Sequence, residues 1–433
     1  MPFAPLRGFR DYVPPEAGAR SELMRRMRAS ARRCGFSELE TPSVEPLDLY
    51  KVKSGEEITR EVWAFQDKGG RDVALAPETT PSLARIYAER AKSEPLPVKW
   101  FTVQKLWRYE EPQAGRTREF SQLNFDILGV AGVEAEVETL ASAALALDEA
   151  GAAGLYAFRI NDRPLAEGLG RHFGASDVAA YFRTVDRYRK SSAKEFLAGL
   201  ESAGIPAGRT GELAALFGSV GAGVLPADLP AFFDRIEALG LEEGARAGVA
   251  RIRALMRLCE PAGIADRVVF DPTVVRGLAY YTSTVFEAYA KDASLRALFG
   301  GGRYDRLIEL FGGPATPACG LAIGDQTLEL LLKEHGRWPE GEPALDTYVV
   351  TVSTEFLPDA IRLVRELRLA GVSADTDLLG RSMSRQLKEA ARQRARRALI
   401  LGPQEASRGA VVERDLATGG QREIPRDEAA RPA

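Results

Sequence analysis

Cysteine and histidine are scarce in this 433-residue chain, which holds three of the former (Cys34, Cys259, Cys319) and two of the latter (His172, His335). The cysteines lie far apart and form no CxxC pair, which argues against a disulfide framework and for a reducing compartment. No HExxH and no Cys/His zinc pattern occurs, so no protein-borne metal site is read from the chain. Neither histidine stands where a Ser-His-Asp triad would place it. No apolar run nears the roughly 20 residues of a membrane span, and the opening MPFAPLRGFRDYVPPEAG has no hydrophobic signal core. An excess of one charge is missing too: 58 Lys and Arg against 61 Asp and Glu leave a net charge of −3. That balance excludes a histone-like polycation, although local basic patches can still meet nucleic acid. The expectation is a soluble cytoplasmic protein, not a membrane partner, whose chemistry runs on Arg, Asp, Glu, Gln and Tyr.

What is present is a chain long enough for two or three domains, with 45% hydrophobic residues to fill their cores. Leu23, Met27, Ala31 and Cys34 step at helical spacing, and Gly35 ends that helix. The segment ELETPSVEP follows, where Pro42 and Pro46 exclude helix. A second helix carries Val137, Leu140, Ala144 and Leu147. Residues 165–255 read as a mostly helical insertion rather than a chemical centre, broken at AGIPAGRTGE and GAGVLPADLP. The polar, Gly- and Pro-rich HGRWPEGEPALD reads as a linker. Beyond it TYVVTV, a helix over Phe356–Leu369, VSADTD, a helix over Ser382–Arg394 and RALILG make a βαβαβ pattern. The last residues, REIPRDEAARPA, read as a frayed tail.

Residues 98–129 carry the most information. Both ends alternate with period two around a polar loop, as in a long antiparallel hairpin. Gln122, Asn124 and Asp126 share one face of the second strand, with Leu123, Phe125 and Ile127 opposite. Arg108 and Glu110 share a face of the first, with Trp107 and Tyr109 opposite. Such a face is either a solvated sheet surface or the floor of a site. The loop adds Arg116 and Arg118, and arginines with carboxylates between them suit a phosphate-bearing ligand. The glycine signatures of P-loop and dinucleotide folds are absent.

The segment WRYEEPQAGRTREF resembles motif 2 of class II aminoacyl-tRNA synthetases, and ELETPSVEP resembles motif 1, a dimer-interface element in that class. VVRGLAYYTSTVFEAY (274–289) is similar to the histidine-binding signature of histidyl-tRNA synthetases. GGRDVALAPETTPSLAR (69–85), FGGGRYDRLIELFGGPATPACGLAIG (299–324) and the opening RGFRDYVP fall in that family's order. GRSMSRQLKEAARQRARRALILG resembles part of its anticodon-binding domain. The resemblance spans about residues 7–425, the insertion being weakly matched.

The resemblance implies an α+β fold: a class II antiparallel sheet core flanked by helices over residues 1–335, with the helical insertion, and an α/β anticodon-binding domain over 345–425. It implies a homodimeric histidine–tRNA ligase that activates L-histidine with ATP and Mg2+ and passes it to the 3′ end of tRNA(His). Arg108 and Arg276 would act on the α-phosphate as the catalytic arginines and touch histidine. Glu78, Thr79, Thr80 and Gln122 would receive the α-amino group, while Asp126, Tyr280 and Tyr281 would address the imidazole. Glu110, Arg116 and Arg118 would join Arg108 on ATP. Gln113 would meet the tRNA end, and Arg381, Arg385 and Lys388 the anticodon stem. Met383, Leu387 and Ala391 would form the apolar side of that basic helix.

The chain departs from the family pattern at several places. Thr327 stands where motif 3 has an arginine for the γ-phosphate, leaving Arg116, Arg118 or Arg303 to serve. Ala279 replaces a common Asp, Asp126 a common Glu, Glu111 an Arg and Ser121 a His. A regulatory or catalytically silent histidine-binding paralogue is the alternative reading; regulatory subunits of this kind lack the C-terminal domain.

Overall fold

Leu23, Met27 and Ala31 are fully buried along one face of α1 (Glu16–Arg33), and Gly35, at φ +76, turns the chain out of it. The computed structural model describes residues 3–54, 56–221, 223–275, 280–292, 295, 297–341 and 345–429. The chain divides into two compact units, Met1–Pro339 and Glu340–Ala433.

The strands of the first unit, in chain order, are β1 (Ser37–Glu38), β2 (Val44–Pro46), β3 (Ala64–Gln66), β4 (Asp72–Leu75), β5 (Val98–Trp107), β6 (Glu119–Leu128), β7 (Tyr156–Asp162), β8 (Val268–Phe270), β9 (Thr284–Ala290), β10 (Phe299–Arg303) and β11 (Ala318–Gly324). Eight of them form one sheet in the order β1-β5-β6-β11-β10-β9-β7-β8. Every pairing from β5 to β7 is antiparallel, and only the two edge pairings are parallel. β2, β4 and β3 make a small separate sheet. Leu123, Phe125 and Ile127 on β6 are buried in the main core with α1.

Helices α2 (Leu47–Ser54), α3 (Thr80–Arg90) and α4 (Glu134–Leu147) precede β7. Between β7 and β8 comes a helical layer: α5 (Arg163–Phe173), α6 (Val178–Asp186), α7 (Ala193–Ser202), α8 (Ala207–Gly218), α9 (Leu229–Glu237) and α10 (Glu243–Cys259). The break expected over AGIPAGRTGE is shorter than the sequence suggests, because α8 already begins at Ala207 and Gly208 and Gly211 ride inside it. Asp162 caps α5 by accepting from the Leu165 amide at 3.2 Å, and Arg251 of α10 grips the same carboxylate at 2.8 and 2.9 Å. A Cβ on Gly168 would stand 2.4 Å from that of Ala245, so this glycine is what lets α5 and α10 close on one another. After β10, α11 (Leu307–Leu310) and, after β11, α12 (Asp325–Glu334) complete the unit.

The second unit has β12 (Thr347–Thr351), α13 (Leu357–Leu369), β13 (Ala374–Thr376), α14 (Met383–Arg392), β14 (Arg397–Leu401), α15 (Pro403–Ser407), β15 (Ala410–Asp415), β16 (Gln421–Pro425) and α16 (Arg426–Ala429). Its sheet runs β13-β12-β14-β15-β16, parallel in the first three strands and antiparallel in the last two. The expected frayed tail is therefore incorrect over most of its length. Ile424 and Ala429 are buried, and Arg397 donates to the Ala429 carbonyl at 2.8 Å. The apolar side assigned to the basic helix holds only at Leu387, which packs partly buried against the cluster of Tyr348, Val350 and Ala390. Met383 is exposed and Ala391 faces solvent, while Gln386 and Ala390 are buried. Gln386 reaches the end of β12, accepting from the Thr351 amide at 2.8 Å and donating to its carbonyl at 3.0 Å, so a polar residue takes the inward position.

Candidate active site

The polar face of β6 is not a wet surface. Gln122, Asn124 and Asp126 are 9%, 2% and 1% exposed, which removes the solvated-face alternative. Their cross-strand partners on β11 are Gly324, Ala322 and Gly320. Opposite each polar side chain stands a residue with little or no side chain, and that leaves a hollow over the sheet. A Cβ on Gly320 would lie 2.4 Å from Asp126 Oδ1 and 2.6 Å from Tyr304 Oη. The hollow opens into a cavity of about 1190 Å³. Gln122 Oε1 and Asn124 Oδ1 are buried there and accept no hydrogen bond among the described residues. Buried acceptors left open cost roughly 1–3 kcal/mol each, which a ligand donor would recover.

At one end the Tyr304 hydroxyl donates to Asp126. Burial and the neighbouring Asp126 carboxylate push the Tyr304 hydroxyl well above its ordinary range, so it stays a neutral donor. The Tyr280 and Tyr281 rings lie 4.6 Å apart, tilted by 38°, and Tyr280 meets Tyr304 edge-on at 6.0 Å. Glu78 and Thr80 enter the same cavity from the start of α3. Thr79 does not line it; its hydroxyl sits 3.4 Å from that of Thr102 within the fold. Tyr304 was missed from the sequence, although its place directly after the glycine run of β10 was a usable signal. Arg276 and Ala279 lie outside the described residues.

At the other end stand Arg108, Glu110 and Arg116. Arg108 and Glu110 lie just past the end of β5 rather than on it, and the Arg108 amide still pairs with the Arg118 carbonyl at 3.1 Å. Arg108 Nε donates to the Pro77 carbonyl at 3.0 Å, which aims its remaining guanidinium nitrogens. Arg116 Nε is 3.1 Å from a Glu110 oxygen. Two arginines expected to hold phosphate are placed elsewhere. Arg118 lies over the Tyr109 ring at 4.2 Å and donates to the Glu110 carbonyl, outside the cavity lining. Arg303 is 3% exposed and locked to Glu136 at 2.8 Å and to the Val130 and Gly132 carbonyls. Burial opposes its cation, but the Glu136 hydrogen bonds and charge raise it overall. Thr327 lines the cavity beside the hairpin loop, where a Cβ on Gly115 would lie 3.4 Å from its hydroxyl.

A further wall was unforeseen. The short turn Tyr188–Lys190 after α6 puts Arg189 and Lys190 on the cavity, so the helical layer is not remote from the site. Gln113, expected to meet tRNA, is exposed in a tight turn whose amide and carbonyl pair with Arg116. In the second unit Arg385 and Lys388 are exposed and enter no ion pair among the described residues, whereas Arg381 is committed to Asp377 and Glu389.

Two family profiles cover nearly the whole chain: histidyl-tRNA synthetase over residues 8–328 and an anticodon-binding domain over 346–431. The histidine–tRNA ligase of Natronomonas pharaonis is 39% identical over 97% of this chain and 95% of its own. That of Pyrococcus furiosus is 36% identical over 98% and 96%. Among solved structures, the histidyl-tRNA synthetase from Nostoc superposes with a TM-score of 0.85 at 24% identity, covering 99% of this chain and 98% of that one, a likeness of fold.

Proposed function

The chain belongs to the histidyl-tRNA synthetase family, and from that premise we propose how its residues divide the work. The activity is histidine–tRNA ligation. The histidine carboxylate attacks the α-phosphorus of ATP, pyrophosphate leaves, and the histidyl group of the adenylate passes to the 3′-terminal hydroxyl of tRNA with release of AMP.

The observation that carries the assignment of the site is the buried floor of Gln122, Asn124 and Asp126 opposite glycine and alanine, with aromatic hydroxyls at one end and arginines at the other. Histidine lies at the Tyr280–Tyr304 end. Glu78, Thr80 and Gln122 take its ammonium; Asp126, held by Tyr304, and Tyr281 take the ring nitrogens. Any other amino acid would leave these groups unpaired, a penalty that separates substrates by roughly 10⁴-fold without editing. ATP lies at the hairpin end, with Arg108 on the α-phosphate and Glu110 and Arg116 along the rest. Arg276 completes the pair of cations about the reacting phosphorus, where positioning and charge stabilisation do most of the work. Magnesium is read as part of the substrate, carried on the phosphate oxygens. Among the described residues no cluster of three His, Cys, Asp or Glu side chains offers a site of its own.

The second unit, matched as anticodon-binding, favours the ligase over a regulatory paralogue. Arg385 and Lys388 are its proposed contacts with the tRNA backbone, and Gln113 that of the first unit with the acceptor end. A cytoplasmic homodimer is the proposed state; Val44 in the motif 1 segment and Phe65 on the same small sheet are exposed apolar residues that such a pairing would cover. Histidine-dependent exchange of labelled pyrophosphate into ATP tests the reading. Exchange with histidine alone among amino acids, reduced on the order of 10²-fold or more in Arg108→Ala, is expected; exchange unaffected by that substitution would reject the assigned site.

A further inference from the structure

Asp271 is fully buried immediately after β8. It accepts from the Thr273 amide at 3.0 Å and hydroxyl at 2.6 Å, from Arg159 of β7 at 3.2 Å, and from Arg189 at 2.7 Å. Three of these four donors come from the adjoining turn or the sheet. Arg189 alone comes from the helical layer, and it does so from the wall of the cavity. Asp271 also begins the stretch that delivers Thr273 and Val274 to that cavity, where Val274 is buried in one cluster with Tyr281 and Tyr304. Further along, the stretch is tied through its backbone: Asn161 donates to the Pro272 and Val274 carbonyls at 3.1 and 3.0 Å, and Arg163 to that of Val275 at 3.3 Å.

We propose that Arg189 is a positioning residue for histidine selection, through which the helical layer fixes the Asp271 stretch and so the depth of the amino-acid end of the site. A buried carboxylate needs its charge matched; with Arg189 gone, Arg159 must serve alone. Arg159 is itself packed over the Tyr289 ring at 4.5 Å, a contact it would have to give up to follow the carboxylate. The stretch then relaxes, and groups that must sit within hydrogen-bond reach of the imidazole lose their setting. The ATP end supplies an internal control, because Arg108, Glu110 and Arg116 hang on the β5–β6 hairpin and are held there by Pro77 and by one another. The inference rests on the proposed placement of histidine at the tyrosine end.

The test is pyrophosphate exchange on the full chain with Arg189→Ala and Arg189→Lys, reading KM for histidine and ATP separately, misactivation of other amino acids, and thermal stability. The expected result is a rise in KM for histidine of about 3- to 30-fold in the Ala variant, more misactivation, an unchanged KM for ATP, and partial recovery with Lys. Should the Ala variant fold poorly, the Lys variant carries the same split in smaller measure. An unmoved KM for histidine, a parallel rise in both KM values, or a Lys variant no better than Ala at equal stability would overturn the proposal. Wild-type exchange that ignores histidine would instead overturn the placement on which it rests.

Discussion

Gly320 stands where one methyl group would collide with both Asp126 and Tyr304. Its need is steric, since the residue sits inside a regular strand. Gly320→Ala is expected to push the Asp126–Tyr304 pair off position and raise KM for histidine on the order of 10²-fold, with a smaller effect on ATP, in steady-state exchange. At this scale much of the site was legible: Glu78, Thr80, Arg108, Glu110, Arg116, Gln122, Asp126, Tyr280 and Tyr281 all line one cavity. Thr79, Arg118 and Arg303 do not do so as expected phosphate or histidine ligands. An arginine's job is set by whatever carbonyls and carboxylates fold against it, and for Arg303 the partner is Glu136, distant in the chain.

Elements with a strong period were readable, as α1, α4, β5 and β6 show, because burial of one face dictates spacing. The basic helix α14 misled because its buried Gln386 satisfies backbone groups of β12, which no hydropathy pattern registers. That helix also carries a pH-dependent tie. Hydrogen bonds from Arg392 and Gln393 hold the Glu389 carboxyl down at about 2, against 4.5 ordinarily. Because the folded value is depressed, this stabilisation is fully present above about pH 4.5 and is lost as pH falls towards 2. Acid unfolding followed by circular dichroism should therefore show wild type and Glu389→Gln differing near neutrality and converging across that window. A constant difference down to pH 2 would contradict it.

On the scale of the whole molecule, the proposed reading gives the activation chemistry to the first unit and the anticodon-stem contacts to the second, which matches an anticodon-binding domain. The exposed Arg385 and Lys388 carry the prediction here. Reversing both to Glu should weaken aminoacylation through KM for tRNA and lower the log–log salt slope by about one for each phosphate no longer neutralised. Histidine-dependent pyrophosphate exchange should not change. A matching fall in exchange would mean that the charges support folding of the unit rather than tRNA.

By itself the sequence determined the hairpin, the order of the motifs, the helical segment between strands and the appended α/β unit. Each of these follows from local spacing and turn residues, which report burial of one face. Only the tertiary structure decided which polar groups stay open to a ligand. Gln122 and Asn124 face glycine and alanine on β11, far away in the chain, and so keep their oxygens unmet. Arg189 enters the site through a turn that reads as ordinary surface, because its partner Asp271 is brought to it by the packing of the helical layer on the sheet. Charge is written residue by residue, but whether it is spent or available depends on partners that only folding assembles.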